Sequence, residues 1–348
     1  MFIDRVRCLF LLAPLLFTAR AFAQHPSPST DPPGMIALDV VVTPKSGPPV
    51  SGLQRQDFTV LDNKVPQAIT SFQAVRGREA PIEVIIVVDD VNTGIEHVAF
   101  ERSEIEKFLR TDGGHLAHPT ALAFLTDSGM KVQDDFSTDG NALSAEVGKY
   151  PLGLHTIPQS SGIYGAFERF QISVEALLQL ASREAPRPGR KFILWISPGW
   201  AVLSGPGIEQ QMDTKQQQEI FSHVVGLSAL LRQGRITLYS IDPLGSSDFL
   251  GRGFRWEAFV KGISKPSQAS YGNVALQVIA VQSGGLALTT SNDINAEMQK
   301  CLGDAQAYYE ISFAPALDQR RDEYHHIEVR VAKGGTVART RQDYYSQP

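Results

Sequence analysis

The fold is decided by the stretch Ile82-Glu83-Val84-Ile85-Ile86-Val87-Val88-Asp89-Asp90-Val91-Asn92-Thr93-Gly94, in which an apolar run passes directly into carboxylates and a hydroxyl. A continuous Val/Ile run of this length is typical of a strand that is buried on both faces of a parallel sheet. Ligands of open α/β sheets bind just beyond the carboxyl ends of such strands. We therefore expect a functional edge that begins at Asp89.

The pattern of apolar residues within 80–305 differs from the pattern on either side of that range. Within that range, apolar strand patterns alternate with long helical patterns, which predicts an α/β fold with a doubly wound, mostly parallel sheet. The flanks, 35–79 and 306–348, are β-rich. Neither flank can cover an apolar face alone, so we predict that the two halves fold together into one small β-sandwich. The Gly/Ser-rich segment 243–271 is predicted as a surface insertion or lid.

The amino terminus predicts export. Residues 1–23 combine early arginines, a short apolar run and Ala21-Phe22-Ala23, a pattern typical of a cleaved signal peptide. The Pro/Ser-rich segment 24–34 then reads as a tether. After removal of the signal peptide, we expect no transmembrane segment, so the mature chain would lie in the periplasm or outside the cell. It would keep one cysteine, Cys301, and could therefore form no intrachain disulfide.

The charge balance argues against nucleic acid as a partner. The formal net charge is -5, and it becomes about -7 after loss of residues 1–23. No phosphate-binding glycine loop follows Val88, which disfavours nucleotide binding. Ser160-Ser161 precedes a helical pattern but lacks the nucleophile-elbow glycines, and no proton-transfer pair is visible. We therefore expect a protein without enzymatic activity.

At Asp89 the sequence resembles a von Willebrand factor A domain, whose first strand ends in D-x-S-x-S. Asp89-Asp90-Val91-Asn92-Thr93 keeps the first aspartate and the last hydroxyl, with Val91 in the middle position. More specifically, the chain resembles the VWFA-related family of exported proteins known mainly from Acidobacteria, through Gly189-Arg190-Lys191-Phe192-Ile193-Leu194-Trp195-Ile196-Ser197, Tyr239-Ser240-Ile241-Asp242-Pro243 and Ser283-Gly284-Gly285. The resemblance implies a von Willebrand factor A-like fold with a degenerate metal-ion-dependent adhesion site.

The resemblance also suggests which residues would hold a metal. Asp89 and Thr93 belong to the first loop, and Ser161 replaces the threonine of the second loop. The third loop reads Ser197-Pro198-Gly199, with Pro198 where A domains carry an aspartate. Mg²⁺ gains most from anionic oxygen ligands, so we expect weak binding of Mg²⁺ or Mn²⁺, or none. The alternative is that Asp89 and Asp90 cap the following segment and order the loop.

The function predicted from these features is that of an exported, non-enzymatic module for protein binding or adhesion. The side chains expected to meet a protein partner lie on the loops of the sheet edge and in the insertion: Asp90, Asn92, Ser160, Ser197 and Trp256. Trp256 alternatively pins the insertion to the domain. Two other functions stay open, a metal-assisted exported hydrolase that uses Asp89 or Asp90 and a structural scaffold of the envelope.

Overall fold

A computed structural model describes residues 34–77, 82–150, 162–200, 212–245, 256–316 and 320–347. Its strands are β1 (Ile36–Pro44), β2 (Phe58–Asp62), β3 (Val65–Gln67), β4 (Ile69–Arg76), β5 (Ile82–Asp89), β6 (His115–Thr126), β7 (Gly129–Val132), β8 (Ser137–Asp139), β9 (Arg190–Ile196), β10 (Ile236–Ile241), β11 (Ala287–Leu288), β12 (Ala307–Phe313), β13 (Tyr324–Val331), β14 (Thr336–Arg339) and β15 (Asp343–Tyr345). Its α-helices are α1 (Ile95–Leu109), α2 (Gly140–Lys149), α3 (Gly162–Glu184), α4 (Thr214–Gln233), α5 (Leu276–Gln282) and α6 (Ile294–Gly303).

The chain is a mixed α/β protein with a mostly parallel central sheet. The strand order is β11-β10-β9-β5-β6-β7, and β8 pairs with β6. Strands β11, β10, β9, β5 and β6 run parallel, whereas β7 and β8 pair with β6 in antiparallel fashion. Strand β5, which ends at Asp89, therefore lies in the interior of the sheet, as expected for a strand that is buried on both faces.

Two apolar clusters cover the two faces of this sheet. Alternate residues of β5 point to opposite faces, so Ile85 and Val87 pack with α3, α4 and α5, while Val84 and Ile86 pack with α1, α2 and α6. Every residue of β9 and β10 is buried, as the continuous apolar pattern predicts for a strand covered on both sides.

The flanks form two further four-stranded sheets, with strand orders β14-β1-β12-β4 and β15-β13-β2-β3. Each sheet mixes strands from both ends of the chain. In one, β1 and β4 flank β12 in antiparallel pairing, and in the other β2 pairs with β13. The two sheets share one apolar cluster that includes Leu38, Val60, Tyr309 and Ile327. Strands of both flanks thus pair within the same sheets and share one apolar cluster.

A network of ion pairs joins these β-strands to the central sheet. Arg235, just before β10, donates to the carboxylates of Asp39 and Glu310. Arg190 at the start of β9 lies 3.6 Å from the same Asp39 carboxylate. Burial raises the pKa of Asp39, but the charges of Arg235 and Arg190 outweigh it and hold that pKa below its usual value.

The structure changes the interpretation of segment 243–271. We predicted a surface excursion or lid from its Gly/Ser-rich composition, yet Ile263, Ala269 and Tyr271 are buried in the apolar cluster beneath α3 and α4. These three residues anchor the segment to the core, whereas the other residues of 256–271 are exposed or half-buried and 246–255 lie outside the described residues. The predicted signal peptide 1–23 and most of the tether lie outside the described residues. None of the helices in the described part of the chain is both long enough and apolar enough to cross a membrane.

Candidate functional site

Asp89 ends β5 and is the centre of a buried hydrogen-bond network. Its Oδ1 accepts from the backbone N–H groups of Val91 (3.1 Å) and Asn92 (3.0 Å). The side-chain amide of Asn92 donates to Oδ1 at 3.1 Å and to Oδ2 at 2.9 Å. The Asp89 side chain is fully buried. These bonds order the loop after β5, which is one part of the predicted alternative to metal binding. For the capping part, the structure places Gly94 at the N-cap of α1, without a side-chain cap hydrogen bond.

Strand β9 supplies the other side of the network. The parallel register pairs Val87 with Trp195, and the indole Nε1–H of Trp195 donates to Asp89 Oδ2 at 3.0 Å. Just after β9, the Ser197 hydroxyl accepts a hydrogen bond from the backbone N–H of Gly199 at 3.2 Å. The turn that follows needs a glycine, because Gly199 has φ +98° and a Cβ there would collide with the Gln277 side chain.

The network reaches the helices through Asn92 and Asp90. The Asn92 side-chain amide donates to the Ser173 hydroxyl of α3 at 2.9 Å. On the other side of the loop, Arg102 of α1 lies 3.4 Å from the Asp90 carboxylate and donates to the Tyr150 carbonyl at 2.5 Å. The loop between β5 and α1 is thus held at several points, so its backbone is preorganised.

Sequence reasoning missed Glu101, a carboxyl group of α1 that is fully buried beside this loop. Burial raises its pKa well above the usual value, and the charge of Asp89 raises that pKa further. Neither carboxyl oxygen of Glu101 has a hydrogen-bond partner within the described residues. Burial likewise raises the pKa of Asp89 itself, partly offset by the Trp195 and Asn92 hydrogen bonds. The sequence could have predicted the burial of Glu101, because it lies three residues after Val98 and four before Ile105, on the same buried face of the helix.

Both oxygens of the Asp89 carboxylate already accept hydrogen bonds from N–H donors of the chain, which competes with the binding of a divalent cation. The Thr93 hydroxyl, by contrast, is buried without a hydrogen-bond partner within the described residues. No group of three or more His, Cys, Asp or Glu side chains in the described ranges is placed to hold a metal ion. The third predicted ligand, Ser161, lies outside the described residues, so ligation by the full set stays a prediction.

The side chains predicted to meet a partner are mostly turned inward. Asp90, Asn92 and Ser197 are buried. Trp256 begins a short 3-10 helix and is half-buried. Ser160 lies outside the described residues. The first three side chains therefore shape the loops of the sheet edge, and other groups must form the outer surface there.

Tyr164 is an exposed aromatic residue at this edge that the sequence reasoning did not single out. It lies in the first turn of α3 and its exposed fraction is 86%. Helix α3 runs opposite to β5. Ser173, in the middle of α3, contacts the loop after β5. Glu184, at the end of α3, pairs with Arg187, and Arg187 binds Glu83 near the start of β5. At 1.5 Å per residue, the first turn projects about 13 Å beyond Ser173.

No family model and no curated protein matches the chain. Among solved structures it is similar to proximal thread matrix protein 1 from the mussel byssus, with 11% identity, a TM-score of 0.36, and coverage of 65% of this chain and 48% of that chain. It is also similar to the open form of the pilus adhesin SpaC from Lactobacillus rhamnosus GG, with 8% identity, a TM-score of 0.36, and coverage of 84% and 48%.

A third similar structure is the human COPII-coat protein Sec24c, with 8% identity, a TM-score of 0.31, and coverage of 76% of this chain and 43% of that chain. The chain thus spans about half the length of the solved structures it matches. At these TM-scores the similarities give no argument for a shared function.

Proposed function

We propose that this chain is an exported, non-enzymatic module for protein binding or adhesion, of the VWFA-related type. In this proposal a doubly wound, von Willebrand factor A-like unit is inserted between the two halves of the β-sandwich. The binding surface is the carboxyl edge of the central sheet, formed by the loop after Asp89 and the first turn of α3. The carrying observation is the exposed Tyr164 ring, which projects past a loop that the chain itself holds rigid.

An exposed aromatic side chain at a preorganised edge supports a role in docking. Tyrosine is enriched among the residues that carry most of the binding energy in protein interfaces. A ring with two rotatable bonds loses little conformational entropy on binding. The loop between β5 and α1 is already tied to α3 and β9, so it would lose little freedom when a partner covers it.

We further propose that this binding needs no metal ion. Asp89 acts as an acceptor for backbone, amide and indole N–H groups, which replaces the role a cation would have in ordering the loop. The absence of an aspartate at Pro198 supports the same view, because proline offers no side-chain oxygen.

The test is retention of the mature chain on the envelope fraction of its own source. Wild-type protein, Tyr164→Ala and Val337→Ala are each incubated with washed envelopes, with and without EDTA. Val337 is a matched control, because it is an exposed apolar residue on β14 of the sandwich, far in the fold from the sheet edge. We expect Tyr164→Ala to lower retention at least about tenfold, and EDTA to change nothing. Equal retention of all three proteins would refute the proposed surface.

A further inference from the structure

A groove between α3 and α4 is a second candidate binding site, separate from the sheet edge. Its volume is about 590 Å³, within the range of about 300–1,000 Å³ that ligand sites in proteins occupy. The lining comes from α3, α4 and the turn at Tyr271: Phe167, Phe170, Gln171, Val174, Glu175 and Leu178 on α3, and Gln216, Glu219, Ile220 and His223 on α4.

The floor of the groove is aromatic and rigid. The Phe167 and Phe170 rings meet the Tyr271 ring edge to face, with centroid distances of 5.4 and 5.5 Å. Phe170 and Tyr271 are buried, whereas Phe167 and Leu178 remain half-buried and open to the groove. An occupant with apolar side chains would remove this surface from water, which is favourable in proportion to the area covered.

The rim of the groove is acidic. Glu175 on α3 and Glu219 on α4 both line the groove and are exposed. Burial raises the pKa of Tyr271, and the negative charges of Glu219 and Asp213 raise it further, so the negative field reaches the floor. No lysine or arginine is among the described residues that line the groove. Its charge is therefore complementary to a cationic occupant.

The dimensions fit a short segment of a protein. The lining residues of α3 run from Phe167 to Leu178, and those of α4 from Gln216 to His223. At 1.5 Å per residue these stretches measure about 16 Å and about 10 Å. An amphipathic helix of about three turns covers such a length.

We propose that the groove between α3 and α4 binds a basic, amphipathic segment of a partner protein, with its apolar side chains on Phe167 and Leu178 and its Lys or Arg side chains at Glu175 and Glu219. This inference does not rest on the function proposed for the sheet edge, because the groove lies on a helical face of the molecule.

The test uses a fluorescein-labelled helical peptide of about twelve residues built from leucine and lysine, and a matched peptide in which glutamate replaces lysine. Binding to the mature chain is followed by fluorescence anisotropy. The variants are Glu175→Lys/Glu219→Lys, which reverses the rim charge, and Phe167→Ser, which makes the floor polar. Glu168→Lys is the control, because Glu168 is an exposed glutamate of α3 that does not line the groove.

We expect saturable binding of the lysine peptide and a loss of affinity of at least about tenfold in the rim variant, with weaker binding as NaCl rises from about 50 to about 300 mM. Phe167→Ser should weaken binding as well, while Glu168→Lys should stay within about twofold of the wild type. The proposal is overturned if the lysine peptide shows no saturable binding, if the glutamate peptide binds equally well, or if the rim variant matches the control. Complete displacement of the peptide by tetraphenylphosphonium at equal concentration would point to a site for small lipophilic cations and would also overturn it.

Discussion

The hydrogen bond from Trp195 to Asp89 gives the sharpest test of the buried network. Trp195→Phe removes the indole N–H and keeps an aromatic ring, whereas Asp89→Asn keeps the shape and removes the charge. Each single change has side effects, because both side chains are fully buried. A double-mutant cycle isolates the pairwise interaction between the two residues.

The expected magnitude follows from the geometry. The donor and acceptor are 3.0 Å apart and both atoms are buried. A hydrogen bond to a charged group contributes about 1.5–3 kcal/mol to stability. In Asp89→Asn the amide nitrogen must take the place of one carboxylate oxygen, so at least one N–H donor loses its acceptor. We therefore expect a coupling free energy of about 1.5–3 kcal/mol between the two positions.

The assay is urea denaturation followed by far-UV circular dichroism at about pH 8, for the wild type, both single variants and the double variant. Trp200 provides a matched control cycle. Its ring packs edge to face on Trp195 at 5.4 Å, and its Nε1–H finds no hydrogen-bond partner within the described residues. Trp200→Phe combined with Asp89→Asn should show a coupling below about 0.5 kcal/mol. Equal coupling in the two cycles would refute the assignment of Asp89 as the acceptor of the Trp195 indole.

Three further predictions concern buried charges. Burial raises the pKa of Asp343 from 3.8 to about 7. The free energy of unfolding should therefore fall as the pH rises between those two values, by at most about 4 kcal/mol. In urea titrations, Asp343→Asn should be more stable than the wild type at about pH 8 and equally stable near pH 4. Burial also raises the pKa of Glu101, which means that folding favours the neutral form of this side chain over the charged form. Because glutamine is neutral at every pH, Glu101→Gln should be no less stable than the wild type in thermal melts at about pH 8. Arg235→Met leaves Asp39 without its main counter-charge and should lower the unfolding free energy by about 2–3 kcal/mol, whereas Arg330→Met, at an exposed pair, should change it little, as chemical denaturation will show.

The strands of the central sheet could be predicted because burial on both faces leaves a continuous apolar run in the sequence. Ile82–Asp89, Arg190–Ile196 and Ile236–Ile241 all carry that pattern. The joint folding of the flanks was also predictable, since each flank alone has too few strands to cover its apolar face. For segment 243–271 the composition predicted a surface insertion or lid but did not show that a few apolar residues, such as Tyr271, are buried in the core.

The site was predictable only in part. The position of Asp89 followed from the strand before it, and its role in ordering the loop was one of two interpretations. Its partners were not predictable, since the bond to Trp195 joins residues 106 positions apart and depends on the register of β5 against β9. The groove between α3 and α4 depends in the same way on how two distant helices pack, which no local pattern of the sequence encodes.

The central claim is that the chain's own N–H donors order the loop after Asp89 without a cation. Isothermal titration calorimetry of the chain from Gln24 onward with Mg²⁺ and with Mn²⁺, repeated on Asp89→Ala, tests it most directly. The account predicts no saturable heat in either protein. Saturable heat in the wild type that disappears in Asp89→Ala would contradict it.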